Sequence, residues 1–279
     1  MPTTGTLDAQ DALAGLRKWT LDRDDSGPFR VYRNDEGHVF HSVTHILKET
    51  SEDWQKDALE RWLERPSSHL ERDIACTRGN LAHSHAELLL KTGAKLSRQN
   101  CNKRGGFRTG KDGLVRPPSK VTQWGLTQAA KGAPKVAFSA SGYARGLRNW
   151  ILERVTAIHA VEFSIHVTPN KIIPTEDIHG FAGTCDAFLD IDGMGPFIVD
   201  WKTSASRRSE ELLRNYCHQC GAYSLGVQRA CGIRPVGAFV IVARRSGEPQ
   251  VKKLNDMELR GAEEIFLERF NEYVKNGHS

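Results

Sequence analysis

The chain has 279 residues, 39% of them hydrophobic, and a formal net charge of +5. A sequence of this length can bury one sizeable core and lies near the size at which single cores stop growing, so one domain is expected across 1–279, with an N-terminal helical region at 1–70 and an insertion at 97–135. No apolar run approaches the roughly 18 residues that a membrane helix requires, and the opening MPTTGTLDAQDALAGL fits neither a secretory nor a transit peptide, which points to a cytoplasmic protein with no membrane partner. The six cysteines, at 76, 101, 185, 217, 220 and 231, are too scattered for a disulfide framework, and reduced thiols are expected.

Residues 38–63 read as a short extended piece, HVFHSV, followed by an amphipathic helix with Thr44 as N-cap and apolar positions at Leu47, Trp54, Ala58, Leu59 and Trp62. A second helix is expected from about Leu70 to Leu90. The period then breaks, with five glycines or prolines between Gly105 and Pro117, as it does in a long surface loop or insertion. Helix resumes from Ser141 to Val155. From Ala157 the pattern turns to β: AIHAVEFSIHV alternates, GFAGTCDAFLDI is apolar around Asp186, and GPFIVDWKT ends a buried run with a charged pair. Ser209 to Leu225 reads as a helix, VGAFVIVA as a buried strand, and Asp256 to Val274 as a closing amphipathic helix. Helix, three strands, helix, strand, helix implies an α/β (α+β) fold with helices flanking a central mixed sheet.

Charge is unevenly spread. Residues 97–135 hold nine Lys or Arg against one acid, Asp112, a local excess suited to a polyanion. Arg104, Arg108 and Lys111 are candidate phosphate contacts there, with Phe107 or Trp124 available to stack on bases; a solvated insertion is the plain alternative. Gly105, Gly110 and Lys111 match the spacing of a phosphate-binding GxxxxGK loop, but Asp112 replaces the required Ser or Thr and LVRPP follows in place of a helix, so that reading is rejected. Arg207 and Arg208, just beyond the third strand, are further candidates for nucleic-acid contact.

Hydrolysing a phosphodiester at neutral pH calls for a hard cation held by one or two carboxylates. Asp186 and Asp200 sit on successive predicted strands, and two such groups placed close together repel unless a cation neutralises them. Lys202 follows Asp200 by two residues and so shares its strand face, where an ammonium can orient water and offset transition-state charge. It is the one lysine in the chain with an acid two positions earlier, although an acid-x-Lys triplet alone also arises by chance. Glu162, on the preceding strand, is a further candidate acid.

GTCD (183–186), VDWKT (199–203) and QCGAY (219–223) resemble motifs of the PD-(D/E)xK nuclease superfamily, in particular its RecB-type exonuclease branch. Upstream, RGNLAH (78–83) resembles that branch's RGTxxH element, with Asn80 in place of Thr, and HSVTHIL (41–47) resembles the opening of phage exonucleases and of the mitochondrial genome maintenance exonuclease. The likeness covers residues 38–245. It implies a restriction-endonuclease-like fold and a DNA exonuclease dependent on Mg²⁺ or Mn²⁺, acting on single- or double-stranded DNA in phage or bacterial recombination, replication or repair, with a single-strand-annealing or replication protein as partner. It further implies that Asp186, Asp200 and the Trp201 carbonyl bind the ion together with His83, that Lys202 positions water, and that Gln219 and Tyr223, i and i+4 on one helix face, reach the site or the DNA backbone. The basic insertion has no counterpart in this pattern.

Taken singly, each aspartate reads better as a solvated strand-end acid, and the alternative for His83 is an ordinary helical histidine; Lys202 and the flanking motifs favour a site. Glu87, i+4 from His83, is either an orienting partner or an exposed acid, and His85 falls on another helix face. Cys217 and Cys220 form a CxxC inside a predicted helix without the further cysteines that an iron–sulfur or zinc site needs, so buried free thiols are expected. A structure-selective endonuclease on the same fold and a non-catalytic nucleic-acid-binding protein are the alternative functions.

Overall fold

A computed structural model describes residue 16 and residues 21–92, 108–109, 115–116, 134–169 and 178–277. Three short strands come first, β1 (Asp22–Asp24), β2 (Val31–Arg33) and β3 (Val39–Ser42). They correct the expectation of a helical region where it covers residues 22–42, while residues 1–15 and 17–20 of it lie outside the described residues. The turn before β3 closes on Gly37 at φ 80, with the Gly37 amide donating to the Asn34 carbonyl at 2.9 Å, and the hairpin buries Tyr32 and Phe40 against Ala182.

Next come α1 (Val43–Glu49), α2 (Asp53–Leu63) and α3 (Ser68–Thr92). The single amphipathic helix expected here is therefore two. Thr50 and Ser51 turn their hydroxyls back onto the carbonyls of Ile46 (2.7 Å) and Lys48 (2.6 Å), which ends α1 by competing for its last acceptors. Ser42, not Thr44, occupies the N-cap, and its side chain makes no capping bond. α2 buries no residue, leaving Trp54 and Leu59 exposed.

A two-stranded ribbon, β4 (Arg108–Thr109) with β5 (Val115–Arg116), falls within the basic stretch. The remainder follows in order as α4 (Pro134–Arg154), β6 (Val155–Val167), β7 (Gly180–Ile191), β8 (Pro196–Ser204), α5 (Glu210–Cys231), β9 (Gly237–Arg244), β10 (Gln250–Leu254) and α6 (Asp256–Lys275). Ser209 caps α5, its side chain accepting from the Leu212 amide, and Gly232 ends it at φ 70, the left-handed conformation glycine adopts freely. Asn255 and Glu258 form a reciprocal capping box on α6. β10 escaped the sequence reading because QVKKL carries two lysines, as a solvent-facing edge strand does.

β7 organises the eight-stranded mixed sheet. Along one edge it pairs antiparallel with β6, from Val167↔Phe181 to Val155↔Ile191. Two strands divide its other edge: β3 runs parallel over Gly180 to Ala182, and β8 runs antiparallel from Ala187↔Val199 to Asp190↔Pro196. Residues 183–186 thus lie in a fork between β3 and β8. Beyond β8 the sheet continues with β9, parallel to it, and β10; the parallel step requires a crossover, which α5 supplies. Helices α1, α5 and α6 cover one face, while α3 and α4 cover the other. The expected mixed sheet with helices on both faces is what the chain forms. No helix among the described residues is long and apolar enough to cross a membrane.

One guanidinium ties α1 to α5 and α6. Arg269 donates to the Leu47 carbonyl at 2.5 Å, Thr50 Oγ1 at 2.9 Å, Asn215 Oδ1 at 2.7 Å and His218 Nδ1 at 3.1 Å. Burial and the nearby Arg269 and Arg214 push the His218 pKa down to about 4, so the ring is neutral and Nδ1 can accept. Asn215 in turn donates to Gln55 of α2 at 3.1 Å. Arg269→Ala leaves these acceptors unsatisfied and should lower unfolding free energy by about 2–3 kcal/mol, read from urea denaturation; a loss below about 0.5 kcal/mol would show that the tie contributes little.

Candidate active site

Register brings three acids into one row. β6 pairs Val161 with Ala187 and Phe163 with Cys185, so Glu162 stands opposite Asp186; β8 pairs Val199 with Ala187, so Asp200 is the next position past the end of that ladder, opposite Asp186 on its other side. At this row the strands reverse which face each side chain takes. Phe163 and Cys185 belong to the core under α5 and α6, whereas Val161 and Ala187, two residues away, belong to the core under α3 and α4. Glu162 accommodates the reversal with φ 50, a left-handed conformation that costs a non-glycine residue about 1–2 kcal/mol.

Asp186 fills the fork. Its Oδ2 accepts from the Trp201 amide at 2.6 Å, and its Oδ1 lies 3.5 Å from His83 Nδ1. α3 delivers that imidazole from the opposite layer to α5. Gly79, one turn before His83, keeps that approach free of crowding: a Cβ there would sit 3.3 Å from Thr203 Oγ1 at the end of β8, a contact the hydroxyl would have to yield to by a few tenths of an ångström. His83, Glu162 and Asp186 each offer a ligand atom, and all three atoms lie within 4.8 Å of one another. Two carboxylates and an imidazole are a donor set that a divalent cation accepts.

Asp200 lies outside that trio. Its side chain is wholly buried and meets Lys202, whose Nζ is 2.7 Å from Oδ1 and 2.6 Å from Oδ2. Burial pushes the Asp200 carboxyl up to about 6, with Asp186 adding to the rise and Lys202 opposing it. Glu162 is raised to about 7, again by burial first and then by Asp186. Burial pushes Asp186 upward too, but His83, Lys202 and the Trp201 amide outweigh it and hold the carboxylate below its ordinary value. His83 is raised reciprocally, Asp186 overcoming the effect of burial. Lys202 is raised as well, Asp200 and Asp186 overcoming its own burial.

From α5, Gln219 and Tyr223 meet each other, Nε2 to Oη at 2.7 Å. Tyr223 is buried and packs on Gly183, where a Cβ would come within 2.9 Å of its ring; it supports the fork from beneath. Gln219 joins Lys202 and Tyr216 in lining a cleft of about 600 Å³ whose other wall is Leu59, Leu63 and Lys56 of α2.

The remaining candidates separate from this centre. Glu87 pairs with Lys91 instead of turning His83. His85 is buried, its pKa pushed down to about 4 by burial and Arg148, away from the trio. Cys217 and Cys220 are buried free thiols, as expected. Arg207 is exposed, and the Arg208 backbone is fastened to the Gln250 amide at 2.8 and 2.9 Å. Arg104, Phe107, Lys111 and Trp124 lie outside the described residues, and of Arg108 only the backbone in β4 is described. The Trp201 ring packs edge-on against Trp150. Tyr216 and the Gly79 approach went unread in the sequence; Tyr216 stands three residues before Gln219 on the same helix face, and that spacing was the available signal.

The family model of the PD-(D/E)XK nuclease superfamily matches residues 54–277. No curated protein matches the chain.

Mn²⁺ titrated into the purified protein should bind with an affinity lowered at least about tenfold by Asp186→Asn and by Glu162→Gln, measured by calorimetry. An unchanged affinity in the Glu162 variant would remove that residue from the site.

Proposed function

Because this chain belongs to the PD-(D/E)XK nuclease superfamily, we propose that it is a DNA exonuclease dependent on Mg²⁺ or Mn²⁺, serving recombination, replication or repair in the cytoplasm of a bacterial or phage-infected cell. The carrying observation is the row Glu162, Asp186 and Asp200, with His83 at one side and Lys202 at the other. The exonuclease mode is supported by the likeness of RGNLAH, GTCD, VDWKT and QCGAY to the RecB-type branch, and by a cleft beside Lys202 walled in by α2.

Asp186, Asp200 and the Trp201 carbonyl would hold the ion, with His83 and Glu162 completing the oxygen and nitrogen donors. When bound, a divalent cation lowers the pKa of attacking water and shields the phosphate. The protein's own groups do the rest. Trp201 N–H fixes one Asp186 oxygen and leaves the other turned toward His83. Lys202, protonated throughout the physiological range, aims an N–H at the water or at a phosphate oxygen as negative charge grows there. Gln219 presents an amide to the cleft, held in place by Tyr223. Arg207, exposed three residues beyond β8, would meet the DNA backbone with Arg208 beside it, and the basic stretch at 97–135 would add a phosphate-contacting arm through Arg104, Arg108 and Lys111. A single-strand-annealing or replication protein is the proposed partner.

End-labelled single- and double-stranded DNA incubated with the protein and Mg²⁺ should be shortened from its ends, with closed circular DNA left intact. Lys202→Ala and Asp200→Ala should each slow cleavage by roughly 10²- to 10³-fold, and EDTA should stop it. Cutting of circles would instead establish an endonuclease, and cleavage indifferent to both substitutions would defeat the assignment of the site.

A further inference from the structure

Lys202 has a long, flexible side chain, 20% exposed, whose function requires its ammonium to stay in one place. Two groups hold it. One is the Asp200 carboxylate; the other is the ring of Tyr216, over which Nζ lies 5.1 Å from the centroid. Tyr216, Gln219 and Tyr223 follow one another at i, i+3 and i+7 along α5, so all three face the sheet on one side of the helix. Tyr223 ends under Gly183, Gln219 borders the cleft, and Tyr216 borders it beside Lys202 while its ring leans on the core under α5.

We propose that Tyr216 is a positioning residue for Lys202, its ring face keeping the ammonium in place when Asp200 turns its charge to a cation. This rests on the nuclease reading of the site. A carboxylate that shares its negative charge with a divalent ion attracts a neighbouring ammonium less. A ring face loses nothing in that exchange, because its attraction for the cation comes from the quadrupole of the π-system. The hydroxyl is not required, so phenylalanine should serve and an aliphatic side chain should not. No hydrogen bond or ring contact joins Tyr216 to the acids or to His83 among the described residues, and its partner there is the Lys202 ammonium, which separates its role from that of the groups gathered around Asp186.

Two measurements test this. In protein labelled with ¹³C at the lysine ε-carbon, the Lys202 signal, assigned by its disappearance in Lys202→Arg, should be shifted upfield by the ring; the shift should persist in Tyr216→Phe and vanish in Tyr216→Leu. In the cleavage assay, Tyr216→Leu should lower kcat about tenfold with KM within about twofold, and Tyr216→Phe should recover most of that loss. A Lys202 signal at the ordinary position in the unaltered protein would overturn the proposal without recourse to any Tyr216 variant. So would a Tyr216→Leu enzyme that cleaves at the normal rate, or a Phe variant as slow as the Leu one. If the unaltered protein shows the upfield signal and cuts no DNA, the nuclease reading fails and the positioning role falls with it, while the contact between ring and ammonium stands.

Discussion

Setting the carboxylates of Glu162, Asp186 and Asp200 in adjacent cross-strand positions costs electrostatic free energy, because each is taken from water beside another acid. The surrounding structure reads as the response to that cost. Asp186, at the centre, receives most of the compensation: an amide hydrogen bond from Trp201, the His83 imidazole, and the field of Lys202. The two flanking acids are compensated less, and burial leaves them at about 6 and about 7. Such a row favours whatever brings positive charge between its members, and a divalent cation does so without adding a proton to any of them. The backbone strain at Glu162 fits the same account, since β6 is paired with β7 on either side of it and cannot relax without breaking the ladder.

The parts of this arrangement visible in the sequence were those with a local period. Alternation over AIHAVEFSIHV placed β6, the apolar runs GFAGTCDAFLDI and GPFIVDWKT placed β7 and β8, and the two-residue spacing of Asp200 and Lys202 put them on one face, where the ammonium indeed meets the carboxylate. What had no local signature was missed. β1 and β2 are three residues each, too short to show a period, and they exist because Tyr32 and Phe40 are buried by a strand some 140 residues away, at Ala182. The break between α1 and α2 turns on two hydroxyls that bond backward, one of which, Thr50 Oγ1, also accepts from Arg269 near the far end of the chain. Glu162 was visible as an acid on a strand, but its place beside His83 depends on register across β6 and β7 and on a positive φ that no propensity scale assigns to glutamate.

The fork explains why residues from both helical layers meet at one point. In an unbroken sheet the two faces are sealed from each other by the ladder, and a side chain from α3 cannot approach one from α5. Here the edge of β7 is handed from β3 to β8 with residues 183–186 paired to neither, which opens a gap in the sheet itself. His83 reaches it from the α3 side because Gly79 lets that helix close on β8; Tyr223 reaches it from the α5 side because Gly183 gives its ring room. A Cβ at Gly183 would press on the Tyr223 ring at 2.9 Å and one at Gly79 would crowd the Thr203 hydroxyl at 3.3 Å, so each glycine faces the neighbouring element and not an acid. The two sequence elements RGNLAH and GTCD therefore have a shared physical content: each pairs a ligand-bearing residue with a glycine that lets the partner layer come close, the glycine lying four residues before His83 on a helix and three before Asp186 on a strand. The helical spacing returns the glycine to the same face as its ligand. On β7 the odd spacing sets Gly183 and Asp186 on opposite faces of a regular strand, and the reversal at the acid row makes that offset useful, since Tyr223 is taken up on one side while the carboxylate turns toward His83 on the other.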